Sequence, residues 1–165
     1  YAEMDDIFAL AESRNESPFI VVCDSLEDPH NLGAILRSAE AAGVHGVIIP
    51  KRNSVTLNYT VAKTSAGAIE YVPVVKVANL PAAIDELKSR GVWIFGADMD
   101  GTDYTSLDYS GSIALVIGSE GKGIGRLVRE KCDFIASLPM RGKINSLNAS
   151  VAAGILMFEA AKHRN

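Results

Sequence analysis

Short, continuously apolar runs set apart by stretches of helical period constrain this chain more than any other feature. The runs are FIVVCD (19–24), VHGVIIP (44–50), IEYVPVVKV (69–77), VWIFGADM (92–99), SIALVIGS (112–119) and DFIASLPM (133–140). Several are rich in Val and Ile without polar alternation, as strands buried on both faces of a parallel sheet must be. Between them, Leu32, Ile35, Leu36, Ala39 and Ala42 recur at helical spacing and stop at Gly43, a good C-cap. Leu80, Ala83, Ile84 and Leu87 do the same before Gly91, and residues 145–164 place Leu147, Val151, Ile155 and Phe158 on one stripe. Alternating β and α elements predict an α/β domain, a mostly parallel sheet flanked by helices. In such sheets the ligand crevice lies beyond the carboxyl ends of the strands.

Size and charge narrow the class. The 165 residues suit one domain, and residues 1–17, acidic and turn-rich, read as a linker or helical lead-in to a domain spanning 18–165. A chain that opens at Tyr1 reads as part of a longer protein. No apolar run approaches the roughly 20 residues of a membrane span, and no secretory leader pattern is present. Cys23 and Cys132 show no metal-ligand spacing, so two reduced thiols in a cytoplasmic protein, with no metal, are expected. The net charge of −4 is unevenly spread: residues 1–30 hold eight acids and one base. Lys122, Arg126, Arg129, Lys131, Arg141 and Lys143 fall within 22 residues opposed only by Glu130 and Asp133. That cluster reads equally as a phosphate-contacting face and as a solvated helix and loop.

Three loops at predicted strand ends carry unusual chemistry. In DPHNLGAILRSAEAAGV (28–44), Asn31 reads equally as a helix cap and as a ligand-facing amide. Gly33 costs helix stability of up to about 1 kcal/mol relative to Ala, a choice that makes sense where another backbone or a ligand comes close. Arg37 follows a turn later and reads equally as a functional cation and as a solvated one; His30 reads as structural. In LVIGSEGKGIGRLVRE (115–130), the glycines at 118, 121, 123 and 125 match neither the P-loop nor the dinucleotide spacing. Glu120 would repel a polyphosphate, and suits a ligand with hydroxyls or a cationic centre better. In the third loop, Asn145, Ser146 and Asn148 put three polar side chains before a helix that needs one cap, a role Ser146 could fill.

Together these segments resemble the three motifs of the SpoU (TrmH-type) RNA methyltransferases of the SPOUT superfamily, in the same order. The residues are N-x-G-A-x-x-R-x-A at 31–39, I-G-S-E-G-x-G at 117–123, and L-P-M-x-G-x-x-x-S-L-N-x-S-V-A at 138–152. Ala149 stands where members often have Val. The resemblance covers roughly residues 19–164. It implies a C-terminal trefoil knot, S-adenosylmethionine as methyl donor, RNA as substrate and a homodimer packed through the knotted region and final helix. The stripe Val151, Ile155 and Phe158 reads first as core, and the resemblance turns part of it toward a partner. Donor contacts are implied at Gly118, Leu138 and Leu147, with Ala97 as an addition. Asn31, Arg37, Glu120, Ser146 and Asn148 are implied as the polar catalytic site, and Arg37, Lys122, Arg126, Arg141 and Lys143 as RNA contacts.

The implied reaction is attack of a ribose 2′-hydroxyl on the donor methyl. A guanidinium is effectively always protonated, so Arg37 suits gripping a phosphate and stabilising a developing alkoxide better than acting as a base. The first strand and the 51–75 segment look more like the ribosomal guanosine enzymes than those acting on transfer RNA. Rival readings are a transfer RNA 2′-O-methyltransferase, a knotted RNA-binding module without activity, and a nucleotide-dependent oxidoreductase. The resemblance also implies an RNA-binding domain ahead of this one.

Overall fold

The computed structural model describes residues 1–51, 57–119, 121–144 and 147–164. Its strands are β1 (Phe19–Asp24), β2 (Gly46–Pro50), β3 (Val74–Val77), β4 (Trp93–Asp103), β5 (Ile113–Gly118) and β6 (Phe134–Ser137). Its helices are α1 (Met4–Ser13), α2 (Pro29–Ala42), α3 (Tyr59–Thr64), α4 (Leu80–Ser89), α5 (Arg126–Lys131) and α6 (Ala149–Ala161). The six strands form one sheet in the order β3-β2-β1-β5-β4-β6, with every pairing parallel. The order reverses between β1 and β5, and a crevice is expected beyond the carboxyl ends of the strands of such an open α/β sheet.

The pleat divides the core in two. Phe19, Val21 and Cys23 pack with residues of α2 and α6 on one face. Ile20 and Val22 meet α1, α4 and α5 on the other. Both sets are fully buried, which is why β1 has no polar alternation. Burial pushes the Cys23 thiol up to about 12 and that of Cys132 to about 11, so neither is an activated nucleophile.

Several elements depart from the sequence reading, each for a local reason. The run 69–77 yields strand only from Val74; Ala68–Glu70 form a 3₁₀ turn after Gly67 in the left-handed region. Pro73 lacks an N–H for a ladder, though its carbonyl still accepts from Val47 N at 2.9 Å. Asp28, not Asn31, caps α2: its carboxylate accepts from His30 N at 2.8 Å, with Pro29 at the first helical position. Gly33 is explained by the close approach of the end of α3, since a Cβ there would lie 2.5 Å from Thr64 Cβ and 3.2 Å from the backbone nitrogen of Ser65. Residues 4–13 are helix α1, whose Ile7 is buried and occupies the space a side chain at Gly46 would need. Ala2 N donates to Val74 O at 2.8 Å, bridging the outer edge of β3.

Helix α6 reverses the expectation for its stripe. Ala149, Ala153, Leu156, Met157 and Ala160 face the core, while Val151 is 51% and Phe158 50% exposed. Ile155 lies on the same outer side at 36%. The helix is apolar on both sides, which periodicity alone does not resolve.

His45 is buried between β1 and the chain before it. Its Nδ1 accepts from Phe19 N at 2.9 Å and its Nε2 lies 2.9 Å from Glu16 Oε1. The imidazole is therefore neutral, with the proton on Nε2. Burial lowers its pKa below the ordinary value, and Glu16 opposes this only in part. The unfolded chain thus binds this proton more readily than the folded one. Its contribution holds above the free-imidazole pKa of about 6.5 and is lost as pH falls below it. Urea midpoints should drop between pH 7 and 5, and a His45→Gln variant should lack that part of the drop. An equal drop in the variant would assign the acid sensitivity elsewhere.

Candidate active site

The carboxyl ends of β4, β5 and β6 meet the start of α6 around a cleft of about 250 Å³. Ala97 closes the β4 side, Gly118 the β5 side, Leu138 the turn after β6, and Leu147 the approach to α6. The three motif positions implied for the donor, and Ala97 added to them, therefore line one cavity. Ile117, Met99 and Met140 add apolar wall, and Ala136, Ala149 and Ala152 keep it open. Apolar walls with backbone groups at strand ends suit a planar, aromatic, hydrogen-bonding ligand.

The glycine turn after β5 folds back on its own strand. Gly123 N donates to Ser119 O at 2.9 Å, and Gly121 and Gly123 take φ of 80° and 67°, open to glycine at little cost. A Cβ on Gly118 would lie 2.1 Å from the Gly123 carbonyl carbon and 2.3 Å from its oxygen. Gly118 is thus glycine because its own loop crosses it. Beyond the turn, Asp24 Oδ2 accepts from Gly125 N at 2.7 Å, fixing the start of α5 to the end of β1. Asp24 escaped the sequence reading, whose only hint was an acid closing an apolar strand.

Of the implied polar residues, Asn31, Arg37 and Asn148 are described, and none of the three is in the lining of this cleft. Asn31 lies half-buried in the first turn of α2, and Arg37 is exposed further along the same helix. Among the described residues no ion pair engages the Arg37 guanidinium, and Glu40, three residues on, does not pair with it. Asn148 caps α6, accepting from Ser150 N at 2.9 Å and Val151 N at 3.3 Å, so the one cap that the sequence requires falls on Asn148. Helices α2 and α6 pack together, with Ser38 beside Gly154. Asn31, Arg37 and Asn148 therefore occupy adjoining helices. Glu120 and Ser146 lie outside the described residues.

The basic cluster divides in two. Lys122, Arg126, Arg141 and Lys143 are exposed, Lys122 at the cleft itself and Arg126 only loosely paired with Glu130 at 3.6 Å. Arg129 and Lys131 instead turn inward onto acids: Arg129 pairs with Asp98, and Lys131 meets Asp85 at 2.9 Å.

This fold and cleft have relatives. The model of the SpoU rRNA Methylase family matches residues 18–158. YacO of Bacillus subtilis (strain 168), assigned to the TrmH family of tRNA/rRNA methyltransferases, is 57% identical over all of this chain and 67% of its own length. The SpoU methyltransferase AviRb from Streptomyces viridochromogenes, solved with AdoMet (S-adenosylmethionine), superposes with a TM-score of 0.83 at 30% identity. That match covers 89% of this chain and 60% of AviRb. An AdoMet-bound rRNA methyltransferase from Sinorhizobium meliloti gives 0.84 at 30% identity, over 90% and 57% of the two chains. The chain thus belongs to the SpoU family of RNA methyltransferases. It spans about two thirds of the length of YacO and somewhat less of the two solved relatives.

Proposed function

We propose that this chain transfers a methyl group from S-adenosylmethionine to a ribose 2′-hydroxyl of structured RNA, with a guanosine of ribosomal RNA favoured over transfer RNA. One observation carries the reading: Ala97, Gly118, Leu138 and Leu147, drawn from three separated segments, converge on a single cleft of apolar wall and backbone. That cleft fits an adenosyl group, and AviRb and the Sinorhizobium meliloti enzyme are solved with the same donor.

When bound, the donor supplies an electrophilic methyl on a positively charged sulfur. The ribose oxygen would form its bond to that carbon as the carbon–sulfur bond breaks, the neutral thioether departing with the electron pair and the hydroxyl proton passing to solvent water. The chain's part is alignment and charge. Arg37, exposed and without an acid partner among the described residues, grips the phosphate beside the target ribose and stabilises the developing alkoxide. Asn31 orients that arginine or the ribose. Glu120, Ser146 and Asn148 shape the donor loops or hold the nucleotide. Lys122, Arg126, Arg141 and Lys143 continue the phosphate-binding face around the cleft mouth.

The same reading makes residues 18–165 the catalytic unit of a cytoplasmic enzyme, with 1–17 leading in from an RNA-binding domain. It takes the segment between β6 and α6 through a loop of the chain as a trefoil knot. Support comes from the sheet order: β6 is the outermost strand, yet α6 returns to pack on α2. It also makes the protein a homodimer through the outer side of α6, supported by the exposure of Val151, Ile155 and Phe158. Phe158→Glu should convert a dimer to a monomer by light scattering; an unchanged mass would remove α6 from the interface.

The test of the function has two stages. Calorimetry with S-adenosylmethionine should give a saturable heat, whereas a non-catalytic RNA-binding module would give none. The full-length protein, incubated with total RNA and labelled donor, should then place label on a ribose. The modified nucleotide would resist alkaline hydrolysis, which needs a free 2′-hydroxyl. Label on a base would overturn the 2′-O assignment.

A further inference from the structure

Strand β4 continues past its pairing with β5, which ends at Gly96↔Val116. Its register on β6 then shifts between Ala97 and Thr102, both of which face Ala136, so residues 98–101 bulge at the cleft. Asp98 and Met99 in this bulge form cleft wall opposite the glycine turn. Gly101 lets the bulge lie flat, since a Cβ there would meet Ile135 O at 2.5 Å.

Arg129 of α5 holds the bulge from behind, while not lining the cleft itself. Its Nη1 donates to Asp98 Oδ2, and its Nη2 donates to the Asp100 carbonyl at 3.1 Å. Asp98 Oδ1 accepts from Met99 N at 2.7 Å, and Ser137 Oγ donates to Met99 O at 2.8 Å. The helix carrying Arg129 directly follows the glycine turn and is pinned to β1 through Asp24. One planar fork therefore ties the β4 wall of the cleft to the element that ends its β5 wall.

We propose that Arg129 is a positioning residue for the methyl donor, setting the separation of the two cleft walls through Asp98 and Asp100. The inference rests on the donor reading of the cleft given above. Arg129 and Asp98 are both partly exposed, at 36% and 28%, so the pair adds little to global stability. Its effect is local. A wall released by even an ångström costs affinity out of proportion to the bond lost.

The experiment is calorimetry of S-adenosylmethionine with the full chain and with Arg129→Gln, Arg129→Lys, Asp98→Asn and the Gln/Asn double variant. Unliganded melting temperatures are measured alongside. Arg129→Gln should weaken donor binding about tenfold or more while leaving the melting temperature nearly unchanged. Arg129→Lys, which keeps the charge but loses the fork, should fall between. The double variant should be no worse than the poorer single, the mark of two groups acting as one. In turnover, the donor KM should rise far more than kcat falls. Wild-type affinity in Arg129→Gln would overturn the proposal alone, as would a melting temperature that falls in step with affinity. No heat from the wild type would overturn the donor reading, and this inference with it.

Discussion

Alanine at position 118 should abolish measurable donor binding, weakening it at least a hundredfold, while the domain remains folded. The added methyl meets the backbone of Gly123 at 2.1–2.3 Å, and backbone, unlike a long side chain, cannot swing aside. Either β5 or the turn must move by more than an ångström. The strand is held by β1 through Gly118 itself and by β4 as far as Val116, so the turn yields. Its displacement reshapes the cleft at Gly121, Lys122 and Gly123 together. Overpacking of this kind costs about 1–3 kcal/mol of stability, a fraction of what a domain of this size has. Calorimetry and thermal melting on the same sample distinguish the outcomes. Retained affinity in Gly118→Ala would mean that the turn is not part of the donor site.

Arg37→Ala should behave in the opposite sense, with donor binding unchanged and turnover reduced by about a hundredfold to a thousandfold. The reason lies in position: Arg37 is on α2, outside the donor cleft, with a guanidinium that no acid neutralises among the described residues. In the role proposed for it, its removal takes away transition-state charge stabilisation and one phosphate contact, so the RNA KM should also rise. Arg37→Lys separates the two roles suggested for this residue. As an electrostatic partner, lysine should recover much of the rate without moving the pH–rate profile. As a base, arginine should leave an inflection in that profile that lysine displaces. Donor affinity lost along with turnover would place Arg37 in the donor site instead.

The sheet was legible because its strands are buried twice over. β1 and β5 have almost no polar atoms to confuse the pattern, and Phe19–Asp24 begins and ends where the apolar run does. Legibility failed where two influences compete. In 69–77 a β-rich composition was overruled by Gly67 and Pro73, whose effects are local and strong. On α6 the stripe Val151, Ile155 and Phe158 looked like core because three of the five residues on the true core face are the alanines Ala149, Ala153 and Ala160. The positions expected to contact the donor came from the resemblance, and the fold adds that all four line one cleft. No periodicity places Ala97 opposite Leu147, since that closeness comes from the strand order and not from the sequence spacing. Arg129 was hidden for a similar reason: it counts as one base in a basic window, and only the fold shows Asp98 waiting 31 residues upstream.

The pairing of Ala2 with the rim of β3 has a consequence for how the protein is handled. A row of unsatisfied amides and carbonyls on a terminal strand invites any passing extended peptide to dock there. The first residues act as a selvedge, stopping the weave from unravelling into a neighbour. A shortened chain that begins at Met4 would keep its hydrophobic interior and yet grow sticky, its failure showing as turbidity rather than as a lower melting point.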